Sequence, residues 1–163
     1  YEILFFRMMG WSKRYFQLVN FRVLDSITED KEPFSEATVM LQVRGEVAHT
    51  AATGRGPVNA LDMALRRALE PSYPNLAQMR LLDFKVRVMT RENRDGTGTA
   101  SYVRVLIESG DKQDRWTTVG VSHNIIEASW QALVDSINYK LFKDDPQKWP
   151  QPGGKHDKVV KKG

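Results

Sequence analysis

His49, His123 and His156 are the only imidazoles in the sequence, and no two of them stand at a spacing that makes a metal-ligand pair. Cysteine is absent, which removes thiol nucleophiles, disulfides and cysteine-held zinc together and fits a reducing cytoplasm. His49 falls on an expected strand near Glu46 and His123 at an expected helix start, so both read as hydrogen-bonded structural groups. Asp144-Asp145 stands beside Pro146, and Asp111, Asp114 and Arg115 read as a solvated turn. The sequence has no nucleophile elbow, phosphate loop or dinucleotide fingerprint, and Gly54-Arg55-Gly56 supplies only two of the glycines such a fingerprint needs. These residues assemble no reaction centre.

What they do offer is a pair of glycine-led helix starts, one after Gly54-Arg55-Gly56 and one after Val119-Gly120-Val121. A helix start presents free N–H groups and a positive dipole end, which suit a carboxylate, and glycine lets a ligand approach the backbone. A small amphoteric ligand could put its charged end there and an aliphatic end on Val58, Leu81, Phe84 or Val88. The alternative is that both turns only permit a tight passage from strand to helix.

Periodicity supplies the elements that must position these corners. Strands are expected over Phe16–Leu24, Ala37–Arg44 and Val47–Thr53, with Gly45 breaking the last two apart. Pro57 then sits at a first helical position, and Val58, Leu61, Leu65, Ala68 and Leu69 make a helical stripe ended by Pro71 and Pro74. The order recurs with strands at Leu81–Met89, Ala100–Ser109 and Arg115–Val121. A helix follows, capped by Ser122, with the stripe Ile126, Trp130, Leu133, Val134 and Ile137.

Shifting the first helix by 65 positions places Asn59 on Asn124, Leu61 on Ile126, Asp62 on Glu127, Leu65 on Trp130 and Leu69 on Val134, while the hairpins slip by about three residues. The expectation is an α+β fold of duplicated βββα units with pseudo-two-fold symmetry, sheets packed on helices. Each unit is too small for a comfortable core of its own. Exposed strand edges and four tryptophans favour a homodimer.

At 163 residues, 41% hydrophobic and 27% charged, the chain has the composition of a folded domain, and no apolar run approaches the roughly 20 residues of a spanning helix. Of the formal net charge of +4, most lies in the last nine residues, where Lys155, Lys158, Lys161 and Lys162 face only Asp157. The remainder is nearly neutral, which argues against a nucleic-acid footprint. The apolar opening Tyr1-Glu2-Ile3-Leu4-Phe5-Phe6 reads as a helix cut in mid-course. Residues 1–12 are therefore expected to end a linker helix from an absent catalytic part, 13–143 to form the domain (unit one 13–74, unit two 78–143), and 144–163 to be a flexible tail.

Three blocks carry a resemblance: Gly54-Arg55-Gly56-Pro57-Val58-Asn59-Ala60-Leu61, Leu82-Asp83-Phe84-Lys85-Val86-Arg87-Val88, and Trp116 to Trp130 ending Asn-Ile-Ile-Glu-Ala-Ser-Trp. In order and spacing they resemble the C-terminal regulatory domain shared by 2-isopropylmalate synthases and (R)-citramalate synthases, the last block being closer to the citramalate branch. The resemblance covers residues 1–143. It implies a parent enzyme that condenses acetyl-CoA with a 2-oxo acid on a metal-dependent (β/α)8 barrel absent from this sequence. The fragment itself is expected to be non-catalytic and cofactor-free, to dimerise, and to bind the end-product amino acid, isoleucine or leucine, near the dimer interface. Carried over by position, the effector residues are Gly54, Gly56, Val58, Asn59, Leu81, Phe84, Val88, Thr99, Val103, Ser122 and Asn124. Phe84 stands where relatives often have tyrosine and Asn59 where aspartate is frequent, which removes a hydroxyl and an ionic contact.

A double-stranded-RNA-binding module is the other reading of βββα order with a Gly-x-Gly turn into an Ala/Leu-rich helix. Such a helix start carries clustered lysines for phosphates. Here the stretch Pro57-Val58-Asn59-Ala60-Leu61-Asp62 has none.

Overall fold

The structure, a computed structural model, describes residues 15–29, 31–92 and 99–144. The expected linker-helix end at 1–12 and the tail beyond Asp144 lie outside the described residues. Strands β1 (Gln17–Thr28), β2 (Lys31–Val43) and β3 (Glu46–Gly54) lead into helix α1 (Pro57–Leu69) and a 3-10 turn at Pro74–Gln78. Strands β4 (Arg80–Glu92), β5 (Thr99–Gly110) and β6 (Arg115–Ser122) then lead into helix α2 (Ile125–Asp144). Each trio is an antiparallel sheet with β2 or β5 in the middle. The βββα unit occurs twice, as the periodicity predicts.

The local chemistry accounts for the joints. Arg44 and Gly45 both have positive φ, 50° and 82°, the pair a two-residue hairpin needs to match strand twist. Pro57 fits the first turn of α1, where its missing N–H costs nothing.

Alternation on the middle strands builds the core. Ala37, Val39, Leu41 and Val43 of β2 point toward α1, whose Leu61, Leu65 and Leu69 are fully buried. Val105 and Ile107 of β5 meet α2 at Leu133, Ile137 and Leu141. At about 1.5–3 kcal/mol for each buried aliphatic side chain, these two seams are the main stabilising term. The units join where α1 touches α2 and where Trp130 of α2 stacks on Phe21 of β1, ring centroids 4.8 Å apart and 11° from parallel.

The repeat register differs from the 65-position shift expected from the helices alone. Thr50 Oγ1 donates to Ala64 O and Thr118 Oγ1 to Ala132 O, and the helices begin after Gly56 and Asn124, so these parts are offset by 68 positions. In the first strands the offset is 63, because Phe21 pairs with Val39 as Phe84 pairs with Ile107, and the bulges at Leu18/Asn20 and Leu81/Asp83 coincide. The difference is the longer β4–β5 connection. Helical stripes repeat every three to four residues, so a three-residue error still lays apolar residues over apolar residues.

The turn at Asp111 also departs from expectation. Its carboxylate is buried, 2.7 Å from Lys140 Nζ and 2.6 Å from Lys143 Nζ, while Asp114 and Arg115 stay exposed. Lys140 is itself buried and also meets Asp144, which closes α2, at 2.8 Å. Sequence neighbours give no hint of this clasp, since the lysines come from a helix almost thirty residues away.

Candidate functional site

The two helix starts, equivalent by the repeat, are built differently. At α1 the cap position is Gly56, with extended backbone (φ −163°) and no side-chain cap. The first helical bond runs from Ala60 N–H to Gly56 O at 3.0 Å. The N–H groups of Val58 and Asn59 therefore precede the ladder and face outward with the positive end of the helix, and no acidic residue stands in the first turn. Space is open where a Gly56 side chain would project. Gly54 is confined: a Cβ there would meet Asn59 Oδ1 and lie 2.7 Å from Ala60 N. Gly54 thus lets the helix start fold tightly against the strand end, and Gly56 leaves its mouth open.

At α2 the corner is filled by its own side chains. Asn124 Oδ1, rather than the expected Ser122, accepts from Ile126 N–H at 2.7 Å. Ser122 Oγ accepts from Asn124 N–H at 3.2 Å and donates to Glu127 at 2.8 Å. Gly120 is not part of this corner: a Cβ there would strike the Ala128 carbonyl, so its role is the close approach of α2 to β6. Among the described residues, side chains accept from the amides of Asn124, Ile126 and Glu127 at the second start, and no side chain caps the first.

An open groove of about 610 Å³ lies at the α1 corner, lined by Thr53, Gly54, Arg55 and Asn59 with Glu32 and Phe34. Arg55 brings a cation, Glu32 an anion and Phe34, exposed at 38%, an apolar wall. Glu32 and Phe34 escaped sequence reasoning because strand pairing delivers them: Ser35 sits opposite Gly54 in the β2–β3 register.

The other expected residues gather on unit two. Val88, Val103 and Ser122 stand side by side across β4, β5 and β6, and Phe84 lies farther along the same helix-facing side, opposite Ile107. α2 does not cover this edge: Phe84 is 46% and Val88 66% exposed, with Val86 also open between them. Leu81 is half-buried opposite Ser109, Val58 is a buried residue of the first turn of α1, and Asn59 and Asn124 are exposed. Thr99 opens β5 opposite Glu92, and its side chain lies outside the described residues. Neither Phe84, Val88, Val103 nor Ser122 lines the groove at the α1 corner.

His123 stacks on Tyr102, centroids 4.3 Å apart, with Nδ1 2.9 Å from Ser101 O, and His49 is exposed on β3. Among the described residues no three His, Cys, Asp or Glu side chains gather where they could hold a metal ion, and no helix is long and apolar enough to cross a membrane.

A family model described as the LeuA allosteric (dimerisation) domain matches residues 1–141. The (R)-citramalate synthase of Geobacter sulfurreducens is 56% identical over 146 residues, covering 89% of this chain and 27% of that protein. The (R)-citramalate synthase of Aquifex aeolicus is 52% identical over 147 residues, with 90% and 27% covered. The 2-isopropylmalate synthase of Shewanella woodyi is more distant, 32% identical over 102 residues, with 63% and 17% covered. The chain thus spans 27% of the length of the two nearer relatives named here. These matches favour the synthase-domain reading over the RNA-binding one.

Proposed function

The chain belongs to the LeuA allosteric (dimerisation) domain family, and we propose that it is the feedback sensor of an acetyl-CoA-dependent synthase of the citramalate type, working as a homodimer in the cytoplasm and reading isoleucine or leucine. The single observation that carries the reading is the contrast between Gly56 and Asn124: of two equivalent helix starts, one caps itself and the other keeps its amides free behind an open glycine. The effector carboxylate would meet the Val58 and Asn59 N–H groups, as anions do at helix starts. Its side chain would lie on Phe84, Val88 and Val103 where two copies meet, with Leu81, Thr99, Ser122 and Asn124 at the margins. Catalysis, the divalent metal and acetyl-CoA would belong to a barrel domain in the same polypeptide. Inhibition would then be a coupling free energy between the effector site and that barrel, typically about 1–3 kcal/mol.

Calorimetry on the folded protein tests this. Saturable heat is expected with isoleucine or leucine, and it is lost in Gly56→Asp. The absence of heat with isoleucine, leucine and valine on folded dimer sinks the proposal. An aliphatic pocket separates these side chains by only about 1–3 kcal/mol, so titrations side by side are needed to rank them.

A further inference from the structure

A groove of about 520 Å³ opens where the β5–β6 turn meets the 3-10 turn, bordered by Gln78, Arg80, Gly110, Asp111, Lys112 and Arg115. Strand register builds its floor: Arg80 of β4 pairs with Gly110 of β5, and Gly110 with Arg115 of β6. Ser109 and Trp116 turn toward α2, where both meet Ser136, so their neighbours Gly110 and Arg115 face the other way. Adjacent strands lie about 4.8 Å apart, so the two arginines spring from the sheet roughly 10 Å apart with no side chain between them. A larger residue would crowd the centre, since a Gly110 Cβ would stand 3.0 Å from Leu82 Cδ1 and 3.3 Å from Asp114 O. The carboxylates of the turn are engaged elsewhere, Asp111 by Lys140 and Lys143, and Asp114 by Lys143 at 2.9 Å. Among the described residues no carboxylate pairs with Arg80 or Lys112, and Arg115 reaches only Glu108, at 3.8 Å. Three exposed cations thus border one concave space.

We propose that this groove binds a diphosphate group, either free or as part of a nucleotide. Each guanidinium presents a rigid fork of donors that matches a phosphate, and the lysine adds a mobile point charge. Two forks set apart by a bare glycine suit two linked phosphates, Arg80 on one and Arg115 on the other, with Lys112 closing from the turn. Glycine within a strand often marks a place where a ligand comes close to the backbone. The volume lies in the range of small-molecule sites, so the groove has room for more than the diphosphate alone. A free amino acid fits poorly here, because its ammonium would lie among three cations. The site is therefore distinct from the effector reading, and it lies on the opposite side of the sheet from Phe84 and Val88.

Calorimetry at low ionic strength with inorganic pyrophosphate and, separately, with ADP tests the proposal. Saturable binding of one anion per chain is expected, weakened about tenfold or more in Arg80→Gln/Arg115→Gln. Arg87→Gln/Arg104→Gln is the control: it removes the same charge from directly opposed residues outside the groove, and affinity should not change. Thermal unfolding without ligand establishes that both double variants are folded, and Lys112→Gln, on the exposed turn, should weaken binding several-fold without touching a strand. Tighter binding of ADP than of pyrophosphate assigns the site to a nucleotide, and the reverse assigns it to the free anion. The absence of saturable heat with both probes overturns the proposal. So does an equal loss in the two double variants, or full affinity in both Lys112→Gln and Arg80→Gln/Arg115→Gln.

Discussion

Thr50 and Thr118 hold the same place in the two halves of the molecule, each donating its hydroxyl to a carbonyl of the helix that follows, Ala64 O at 2.6 Å and Ala132 O at 2.7 Å. β-branched threonine suits the strand, and its hydroxyl fastens the helix to it. With the halves aligned through this pair, equivalent positions can be compared directly.

Phe21 and Phe84 are one such pair. Phe21 is covered by Trp130, whereas Phe84 is open. Phe21→Ala is expected to cost about 2–3 kcal/mol in urea unfolding of dilute protein, combining lost burial with a stack worth about 1 kcal/mol. Phe84→Ala should cost less than about 1 kcal/mol under the same conditions. Equal losses would show that the two faces are covered alike.

The glycines separate folding from recognition. Gly56→Asp places a favoured capping side chain in open space at an extended backbone position, so thermal stability should hold or rise by a few tenths of a kcal/mol. The same carboxylate occupies the helix amides and repels an anion, so amino-acid binding should disappear. Gly120→Ala acts the other way: its methyl would strike the Ala128 carbonyl, and a cost of about 3 kcal/mol is expected from thermal unfolding.

Asp111 governs the acid limb of stability. Burial alone would raise its carboxyl, but hydrogen bonds from Lys140, Lys143 and the amides of Asp114 and Gln113 outweigh burial and hold it well below its ordinary value of 3.8. A carboxyl lowered by folding contributes stability that is present above its unfolded value and lost as the pH falls through the folded one. The parent should therefore lose stability below about pH 4. Asp111→Asn should be less stable by about 3 kcal/mol at neutral pH, because it leaves Lys140 buried beside a weaker partner. Its denaturant midpoint should fall less steeply in acid, and a profile parallel to the parent's would refute this.

Lys143 sets the opposite limb. Burial alone would lower its ammonium, but the hydrogen bonds it donates to Asp111 and Asp114 raise it above the ordinary 10.5. That contribution is complete below the unfolded value and fades as the pH climbs through the folded one. Lys143→Met should therefore lose part of the parent's advantage near pH 9 and converge on it at higher pH, read as denaturant midpoints.

The βββα order, both helices and the break at Gly45 were legible in the residues because each rests on neighbours in sequence: alternation for strands, three-to-four spacing for helices, Pro57 and Gly45 at the joints, although Arg44, expected to end the strand, belongs to the turn. The α1 corner was legible for the same reason, since Gly54, Gly56, Val58 and Asn59 are contiguous. Less accessible were Glu32 and Phe34, which reach the corner through the β2–β3 register, and the cap of α2, where Ser122 and Asn124 are equally good candidates until the backbone chooses between them. The burial of Asp111 was hidden altogether, because an aspartate in a polar turn reads as solvated unless one knows which lysines arrive above it.

The sequence by itself determined the elements and their duplication, and it singled out the glycine-led helix starts, rather than a side-chain reaction centre, as the place where a carboxylate would be expected. Only the tertiary structure decided which of two equivalent starts stays open, which phenylalanine is covered by Trp130, and how Arg80 and Arg115 come to flank Gly110 in one row. The reason is physical: periodicity and turn chemistry act over a few residues and are written in their order. Coverage and charge alignment depend instead on strand register and helix placement, which bring together side chains ten to more than a hundred positions apart.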